Sequence, residues 1–299
     1  MLTIKSGFFA SHIIDDRNVD DFLRCVEDNP QRRYETYTSI PASRLNGGRF
    51  NSVSWDGSAF HFVGDIYGTE KVLHEVEFFE LFFRNISRLN NHGVPVHLAL
   101  TNHFVDQEDL DHPHLRRVLD FMIESSVENG VIYVNDGLRN HLAQRYPGMT
   151  FTGSIIKFYA DPSLGYMTHL GRGDRVVMRH TDNPLEFVDM IPEERRRDAD
   201  VFVACGCTNQ CNSENADSHY RAISLYNRGE VKSRAECSFS GSGEKKVRWG
   251  MDELRELVDE GFTSFKLGRP DVYVGKKVIY LSPRDIEKSL GWDFKLLDQ

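Results

Sequence analysis

Apolar, β-rich runs alternate with amphipathic segments along most of the chain. From Phe60 onward there are eight such runs, and most are separated by a segment whose apolar residues recur at helical spacing. The runs are FHFVGDIYG (60–68), VPVHLALTN (94–102), VIYVND (131–136), MTFTGSIIKF (149–158), DRVVMRH (174–180), ADVFVACG (199–206), FTSFKLG (262–268) and KKVIYL (276–281). This alternation predicts parallel strands joined by crossover helices. Eight units at this length predict an α/β fold of the (β/α)8 TIM-barrel type.

Two parts of the pattern are less regular. The last two runs are joined by only a short turn-like segment, which leaves open an irregular final strand or an incomplete barrel. Residues 1–59 include a polar, turn-rich stretch, and we interpret them as an N-terminal extension or lid before a barrel domain at 60–299. A doubly wound sheet is the alternative fold, but no glycine-rich phosphate loop follows the first run.

The composition is that of an ordinary globular protein. Hydrophobic residues make up 40% and charged residues 27% of the 299 residues, and the formal net charge is -9. This acidic balance argues against bulk nucleic-acid binding, which needs clustered Lys and Arg. No apolar run approaches the roughly 18–20 residues that span a bilayer, and the first residues lack the pattern of a signal peptide. We therefore expect a cytoplasmic protein with no membrane contact.

The sixth run ends in three cysteines within seven positions. These are Cys205, Cys207 and Cys211, and Cys237 lies a little downstream. Thiolates are soft ligands that select iron–sulfur clusters, zinc or copper(I). We predict a four-iron, four-sulfur cluster on Cys207, Cys211 and Cys237. Cys205 would be a fourth ligand unless a turn at Gly206 places it in the barrel wall. Zinc is the alternative metal, although the paired C-x2-C knuckles of zinc ribbons are absent, and unligated thiols are a third interpretation.

Polar residues follow most of the strand runs. The carboxyl ends of barrel strands converge, so we expect these side chains at one mouth. The cofactor-binding candidates are Asn102, Ser154 and Lys157, and the catalytic candidates are Asp136, His219, Lys266 and Arg269. Lys266 and Arg269 fit an anion clamp, since arginine offers a planar fork and lysine a point charge. His219 or Asp136 would handle protons. Structural roles are the alternative for each of them, and the same holds for His103 after the second run.

The chain also resembles a known family. The segment from NGVIYVNDGLRNHLAQRYPGMTFTGSIIKF through DRVVMRH and the cysteines to DEGFTSFKLGRP resembles the collagenase-like peptidase family and its radical-SAM-like barrel relatives. The matching parts are Gly153 with Ser154, Cys207 with Cys211, and Gly261 with Lys266, Gly268 and Arg269. The resemblance implies a TIM-type barrel, a four-iron cluster on cysteines, and support of hydroxylation of tRNA or of quinone precursors. The cysteines are spaced more tightly than in that family, and Glu214 stands where the radical-SAM pattern C-x3-C-x2-C requires a cysteine.

These features together predict an iron–sulfur-dependent redox or radical enzyme that acts on a small or tethered organic substrate at the barrel mouth. Its partners would be that substrate and an electron donor or partner protein. Two other classes stay open, namely a zinc-binding hydrolase and a non-catalytic barrel that serves as a docking partner. The histidines are scattered rather than paired as in H-E-x-x-H, and no nucleophile–His–Asp arrangement stands out in the sequence.

Overall fold

The structure is a computed structural model that describes most of the chain. It covers residues 1–8, 10–40, 44–45, 53–62, 71–158, 162–178, 185–208, 213–232, 246–267, 272–274 and 277–298. For some residues inside these ranges only the backbone is described, and these include 204–208 in the cysteine-bearing strand and 213–216 in the helix after it.

Strands and helices are numbered along the chain. The strands are β1 (Thr3–Gly7), β2 (Arg33–Thr38), β3 (Val53–Trp55), β4 (Ala59–Phe62), β5 (Lys71–His74), β6 (Val96–Leu100), β7 (Gly130–Tyr133), β8 (Thr150–Gly153), β9 (Arg175–Val177), β10 (Ala199–Thr208), β11 (Lys246–Arg248), β12 (Ser264–Leu267), β13 (Val272–Val274) and β14 (Lys277–Ile279). The α-helices are α1 (Ala10–Ile13), α2 (Asp16–Asp28), α3 (Glu75–Asn91), α4 (Gln107–Leu110), α5 (Pro113–Ile123), α6 (Asp136–Arg145), α7 (Pro162–Gly171), α8 (Glu186–Met190), α9 (Ser213–Asn227), α10 (Met251–Asp259) and α11 (Pro283–Leu290). Within the described residues, 3-10 helices span Ile155–Phe158, Glu193–Asp198 and Phe294–Leu297.

Eight parallel strands close into a barrel. The order is β10-β12-β1-β2-β6-β7-β8-β9, and β9 pairs back onto β10. Each of these pairings is parallel, and helices lie between successive strands along the chain. The predicted (β/α)8 TIM-type barrel is therefore confirmed.

The barrel begins at Thr3, which is 57 residues before the first run of the sequence pattern at Phe60. β1 and β2 are its first two strands, so the assignment of residues 1–59 to an extension or lid is wrong. The run at 60–68 supplies only β4, which lies in a separate antiparallel sheet with β3 and β5. The run at 276–281 supplies β14, which pairs antiparallel with β13 outside the barrel. The physical reason is that β1 and β2 read as polar segments, because their interior-facing side chains include Lys5 and Glu35.

The apolar core lies between the strands and the outer helices. Val96, Leu98 and Leu100 of β6 are completely buried in one cluster with Phe78 and Phe82 of α3. These strand residues alternate with His97 and Ala99, as expected for side chains that point to opposite faces of a strand. The helices are therefore held by the outward face of each strand, and the inward face is left for other side chains.

The inward face near the amino ends of the strands carries an ionic cluster, which we call the floor. It consists of Lys5, Glu35, His97, Arg175, Asp200 and Ser264. Arg175 of β9 reaches Glu35 of β2 at 3.2 Å, and these strands are not neighbours, so the contact crosses the barrel interior. The Lys5 ammonium lies 2.7 Å from Glu35 and 2.8 Å from Asp200. The floor thus fills the barrel with paired charges at the end opposite to the carboxyl ends of the strands.

β10 extends beyond the barrel at its carboxyl end. Its last pairing with β12 joins Ala204 to Leu267, and the strand then continues to Thr208, where it pairs antiparallel with Lys246 of β11. The backbone stays in strand conformation through Gly206, so the turn considered at that position is not formed. The backbone of Cys205 and Cys207 therefore lies above the last barrel pairing of this strand.

Candidate functional site

The carboxyl ends of β6, β7 and β8 meet beneath helix α9, and we call this region the mouth. Asn102 and His103 follow β6, Asp136 follows β7, and Lys157 follows β8. α9 packs against the 3-10 helix that contains Lys157. The fold therefore brings together four of the polar positions that the sequence placed at strand ends.

Asp136 forms two ion pairs at the mouth, one with Lys157 and one with Arg172. Its carboxylate accepts hydrogen bonds from Lys157 Nζ at 2.8 Å and from Arg172 at 3.0 Å. Lys157 Nζ also donates to the carbonyl of Val134 at 2.8 Å. Burial would raise the pKa of Asp136, but the hydrogen bonds from Lys157 and Arg172 outweigh it and lower that pKa below its ordinary value. Asp136 is thus an ionised, half-exposed carboxylate with two cationic neighbours.

A buried polar group behind the mouth holds β7 in place. Tyr133 Oη donates to Asp174 at 2.5 Å and lies 2.5 Å from His169 Nδ1. Arg139 closes the group with a 2.6 Å bond to the other oxygen of Asp174. Burial and the Asp174 carboxylate raise the pKa of Tyr133, so the phenol stays protonated. This group lies on the helix-facing side of the barrel wall, where it fixes the strand that leads to Asp136.

His103 lies between two side chains of α9. Its Nδ1 is 3.2 Å from Ser224 Oγ, and its backbone N–H donates to the same Oγ at 3.3 Å. Its Nε2 lies 3.7 Å from Asp217 Oδ1, while Arg221 binds the other Asp217 oxygen at 2.7 Å. Burial, followed by the charge of Arg221, lowers the pKa of His103 to about 4 although Asp217 acts in the opposite direction. The imidazole is therefore uncharged at neutral pH.

The order serine, histidine, aspartate matches the residue types of a hydrolytic triad, but Ser224 does not present a nucleophile. Ser224 is completely buried, and its Oγ is already occupied by the backbone and the ring of His103. A nucleophile needs its oxygen exposed to the substrate carbonyl. Ser224 thus positions the His103 ring.

Asn102 joins three segments next to His103. Its Nδ2 donates to the carbonyl of Arg44 at 2.6 Å and to that of Ser224 at 3.1 Å, and its Oδ1 accepts from the N–H of Phe104 at 2.8 Å. The side chain is completely buried. These contacts give Asn102 a structural task, which is to hold α9 over the end of β6, while its predicted cofactor contact stays a prediction.

A second connection fixes the carboxyl end of α9. Arg228, just beyond the helix, binds Asp109 at 2.5 Å and Asp106 at 2.6 Å in the segment that follows β6. It also donates to the carbonyl of Phe104 at 3.1 Å. With Asn102 and Ser224, this cluster anchors α9 over the mouth.

Ser154 and Lys266 lie deeper in the barrel. Ser154 is buried, its N–H donates to the carbonyl of Tyr133 at 2.8 Å, and its Oγ accepts from the N–H of Ile156 at 3.4 Å. The Lys266 ammonium lies 4.2 Å from the ring centre of Tyr37 and 5.8 Å from that of Phe202. Lys266 is thus a buried cation against aromatic faces. Its predicted partner in an anion clamp, Arg269, lies outside the described residues.

His219 is half-buried on α9, with its ring 5.5 Å from that of Tyr220. Its predicted proton-handling role stays a prediction. Cys211 and Cys237 lie outside the described residues, and only the backbone of Cys205 and Cys207 is described. Among the side chains that are described, no group of three or more His, Cys, Asp or Glu is arranged to hold a metal ion.

Sequence reasoning did not single out Ser224 and Asp217. A signal was present, since Asp217, Arg221 and Ser224 follow at spacings of four and three residues and so share one face of a helix. A helical face that carries a carboxylate, a guanidinium and a hydroxyl directly after a cysteine-rich strand end indicates a polar contact surface, and His103 at the end of β6 was a candidate to lie against it. The sequence could not show that Ser224 pairs with His103, because the two residues are 121 positions apart.

Comparisons with known proteins give one informative result. No family model matches the chain, and no curated protein matches it. Among solved structures, four chains match. One of these is the U32 peptidase Mk0906, with a TM-score of 0.50 and 15% sequence identity over 90% of this chain and 92% of that one. The chain therefore shares the fold of a U32 peptidase. This supports the resemblance to collagenase-like peptidases at the level of the fold, and it does not extend to the radical-SAM-like barrels.

The part of the chain that the structure describes contains no helix long and apolar enough to cross a membrane.

Proposed function

We propose that the protein is an enzyme that binds an iron–sulfur cluster at the carboxyl-terminal mouth of its barrel and acts there on a small or tethered organic substrate. The observation that supports this proposal is the course of β10. The strand carries the backbone of Cys205 and Cys207 past the last barrel pairing at Ala204 and Leu267. Active sites of (β/α)8 enzymes lie at this end of the barrel.

The donor set fits such a cluster in its chemistry. Cys207, Cys211 and Cys237 would hold it, with Cys205 as a fourth ligand or as a neighbouring thiol. Thiolates are the usual ligands of four-iron clusters, and two of these cysteines lie two positions apart in one strand. When bound, the cluster would supply electron transfer or an open iron site, and a redox role would require an electron donor or a partner protein.

The described residues would support that chemistry from the neighbouring strands. Lys266 of β12, with Arg269, would hold an anionic part of the substrate. Asp136, ionised between Lys157 and Arg172, provides a fixed negative charge at the mouth. It would orient a cationic or hydroxyl-bearing group of the substrate.

Anaerobic purification followed by iron, sulfide and zinc analysis tests this proposal. We expect a brown protein with about four irons and four sulfides per chain. Cys207→Ser should lose most of this iron. Cys25→Ala is the matched control, because Cys25 is a buried thiol of α2 that donates to the carbonyl of Asp21. It should keep the iron content of the unmodified protein.

Two other results would replace the proposal. A colourless protein with one tightly held zinc, lost in Cys207→Ser, would indicate the zinc-binding hydrolase instead. A protein with neither metal after anaerobic purification and reconstitution with iron and sulfide would indicate a barrel without a metal centre, such as a docking partner.

A further inference from the structure

The environment of His103 determines where its ring proton lies. Ser224 Oγ accepts the backbone N–H of His103, so its own hydrogen is available for Nδ1 at 3.2 Å. A hydroxyl has one donor and two acceptor sites, and this assignment uses one of each. The proton of the neutral ring is then on Nε2, which is also the nitrogen that faces the Asp217 carboxylate. Both neighbours therefore favour the same tautomer.

The Nε2–H group lacks a close acceptor among the described residues. Asp217 Oδ1 is 3.7 Å away, beyond the 2.7–3.2 Å range of an N–H···O hydrogen bond. Arg221 holds the Asp217 carboxylate from its other oxygen at 2.7 Å. The His103 side chain is 7% exposed, whereas Ser224, which anchors it, is 0% exposed. A small exposed fraction therefore remains on His103, and none remains on the serine that anchors it.

We propose that His103 is a substrate-binding residue whose uncharged imidazole donates its Nε2–H to a neutral acyl oxygen, the carbonyl oxygen of a carboxamide or ester. This names a substrate class for the mouth and rests on the proposed function only for the location of the active site. A neutral acceptor fits because the two cations near the ring are already paired, Arg221 with Asp217 at 2.7 Å and Lys157 with Asp136 at 2.8 Å. An uncharged imidazole donor can also polarise a carbonyl without carrying a charge itself.

The surroundings of the ring keep it in the form that this role needs. Burial and the charges of Arg221 and Lys157 disfavour the imidazolium, so the pKa of His103 falls to about 4. The hydrogen bond from Asn135 Nδ2 to the carbonyl of His103 at 3.0 Å fixes the backbone on the side of β7. His103 thus enters the mouth with its position, tautomer and charge all set by neighbours.

Nitrogen NMR of the protein labelled with ¹⁵N-histidine tests the proposal. We expect His103 to be the Nε2–H tautomer at pH 7 and to stay uncharged down to about pH 5. N-acetylalanine amide should shift the Nε2 signal in a saturable way, and acetate should not. His103→Asn, whose amide ends short of the Nε2 position, should bind the amide probe about tenfold more weakly. His103→Gln, which reaches that position, should recover part of the affinity.

Control variants and defined contrary results complete the test. His92→Gln at the end of α3 removes one histidine signal and should leave the response of His103 unchanged. Ser224→Ala should release the ring and give a mixture of tautomers. An Nδ1–H tautomer at pH 7, a stronger response to acetate than to the amide, or no response to either probe would each overturn the proposal. Iron content plays no part in these readings, so they stand or fail separately from the proposed cluster.

Discussion

The two ends of the barrel use charged residues in opposite ways. In the floor, Lys5, Glu35 and Asp200 have side chains no more than 4% exposed, and each is matched by partners within 3.2 Å. At the mouth, Asp136 is 49% exposed. His103 Nε2 lies 3.7 Å from Asp217 Oδ1, beyond hydrogen-bond distance. The charged groups of the floor are buried and ion-paired, although His97 Nδ1 and Arg175 Nε lack a hydrogen-bond partner among the described residues. The mouth instead combines a half-exposed carboxylate with an imidazole nitrogen that lies beyond hydrogen-bond distance of Asp217.

We infer from this difference that the floor contributes mainly to stability and the mouth mainly to function. Burial would raise the pKa of Glu35, but Lys5, His97 and Arg175 hold it well below its ordinary value. Burial would also raise the pKa of Asp200, but Arg175 and Lys5 outweigh it and lower that pKa. Removal of any one charged side chain from this network should destabilise the fold, because a buried charge without its partner is costly. The polar side chains of the mouth are more exposed and less closely paired, as expected for a site that binds and releases a substrate.

Removing the floor lysine should have the largest effect on stability. Lys5→Met leaves Asp200 with Arg175 and leaves Glu35 with Arg175 and the partly exposed Arg33 at 3.0 Å. We expect a loss of about 3–5 kcal/mol in the free energy of unfolding. Lys157→Met at the mouth removes a lysine whose partner Asp136 is half exposed, and it should cost no more than about 1 kcal/mol. Urea unfolding of both variants measures the difference. Equal losses in the two variants would mean that floor and mouth do not differ in this way.

Acid should act on the mouth before it reaches the floor carboxylates. The pKa of His103 is about 4 in the folded protein and about 6.5 when unfolded, so its stabilising contribution is complete above about pH 6.5 and is lost as the pH falls toward 4. The shift corresponds to about 3 kcal/mol. His97 has a lowered pKa caused first by burial and acts in the same direction.

Unfolding curves between pH 7 and pH 3 check this order. His103→Gln should flatten the decline of stability between about pH 6.5 and pH 4. Asp200→Asn should instead flatten the decline below about pH 4, because a lowered carboxyl pKa stabilises only above the unfolded value. If His103→Gln leaves the upper part of the curve unchanged, the ring is not held neutral by the fold.

Adding one carbon atom beside the floor should have a smaller effect. A Cβ at Gly130 would overlap Thr150 Oγ1 and lie 2.6 Å from His97 Nδ1. We expect Gly130→Ala to cost about 1–3 kcal/mol, the usual range for overpacking. Gly148→Ala is the matched control, since its new Cβ would lie no closer than 3.5 Å to Ile123. Thermal unfolding of the pair measures the difference, and an equally stable Gly130→Ala variant would show that β7 moves freely away from His97.

The hydrophobic pattern predicted the barrel, but the first and the last of its eight predicted strands lie outside the barrel. Six of the eight barrel strands were found, because their outward residues form apolar runs such as Val201 and Val203 in β10. β1 and β2 were not assigned to the barrel, because the interior face of this barrel is ionic near the amino ends of the strands. A hydrophobic pattern cannot recognise a strand whose buried residues are lysine and glutamate.

The candidate site was predicted in part for a related reason. Strand ends can be read from the sequence, so Asn102, Asp136 and Lys157 were expected to lie at one mouth. Asp136 and Lys157 are in direct contact, and Asn102 binds the backbone of α9 at Ser224. The partners supplied by α9 could not be assigned, because a helix that packs over a barrel mouth contacts strands far from it in sequence. Asn102 and Ser224 are 122 positions apart, and only the closed barrel brings them together.

The floor also sets the order of events during synthesis of the chain. Lys5 pairs with Asp200, 195 positions later, and Glu35 with Arg175, 140 positions later. β1 lies between β2 and β12, so the barrel cannot close until Ser264 has been made. On the ribosome the early charges therefore remain hydrated, and no closed intermediate can form from the first half of the chain. The buried opposite charges of the floor can therefore be fully enclosed only after β12 has been synthesised.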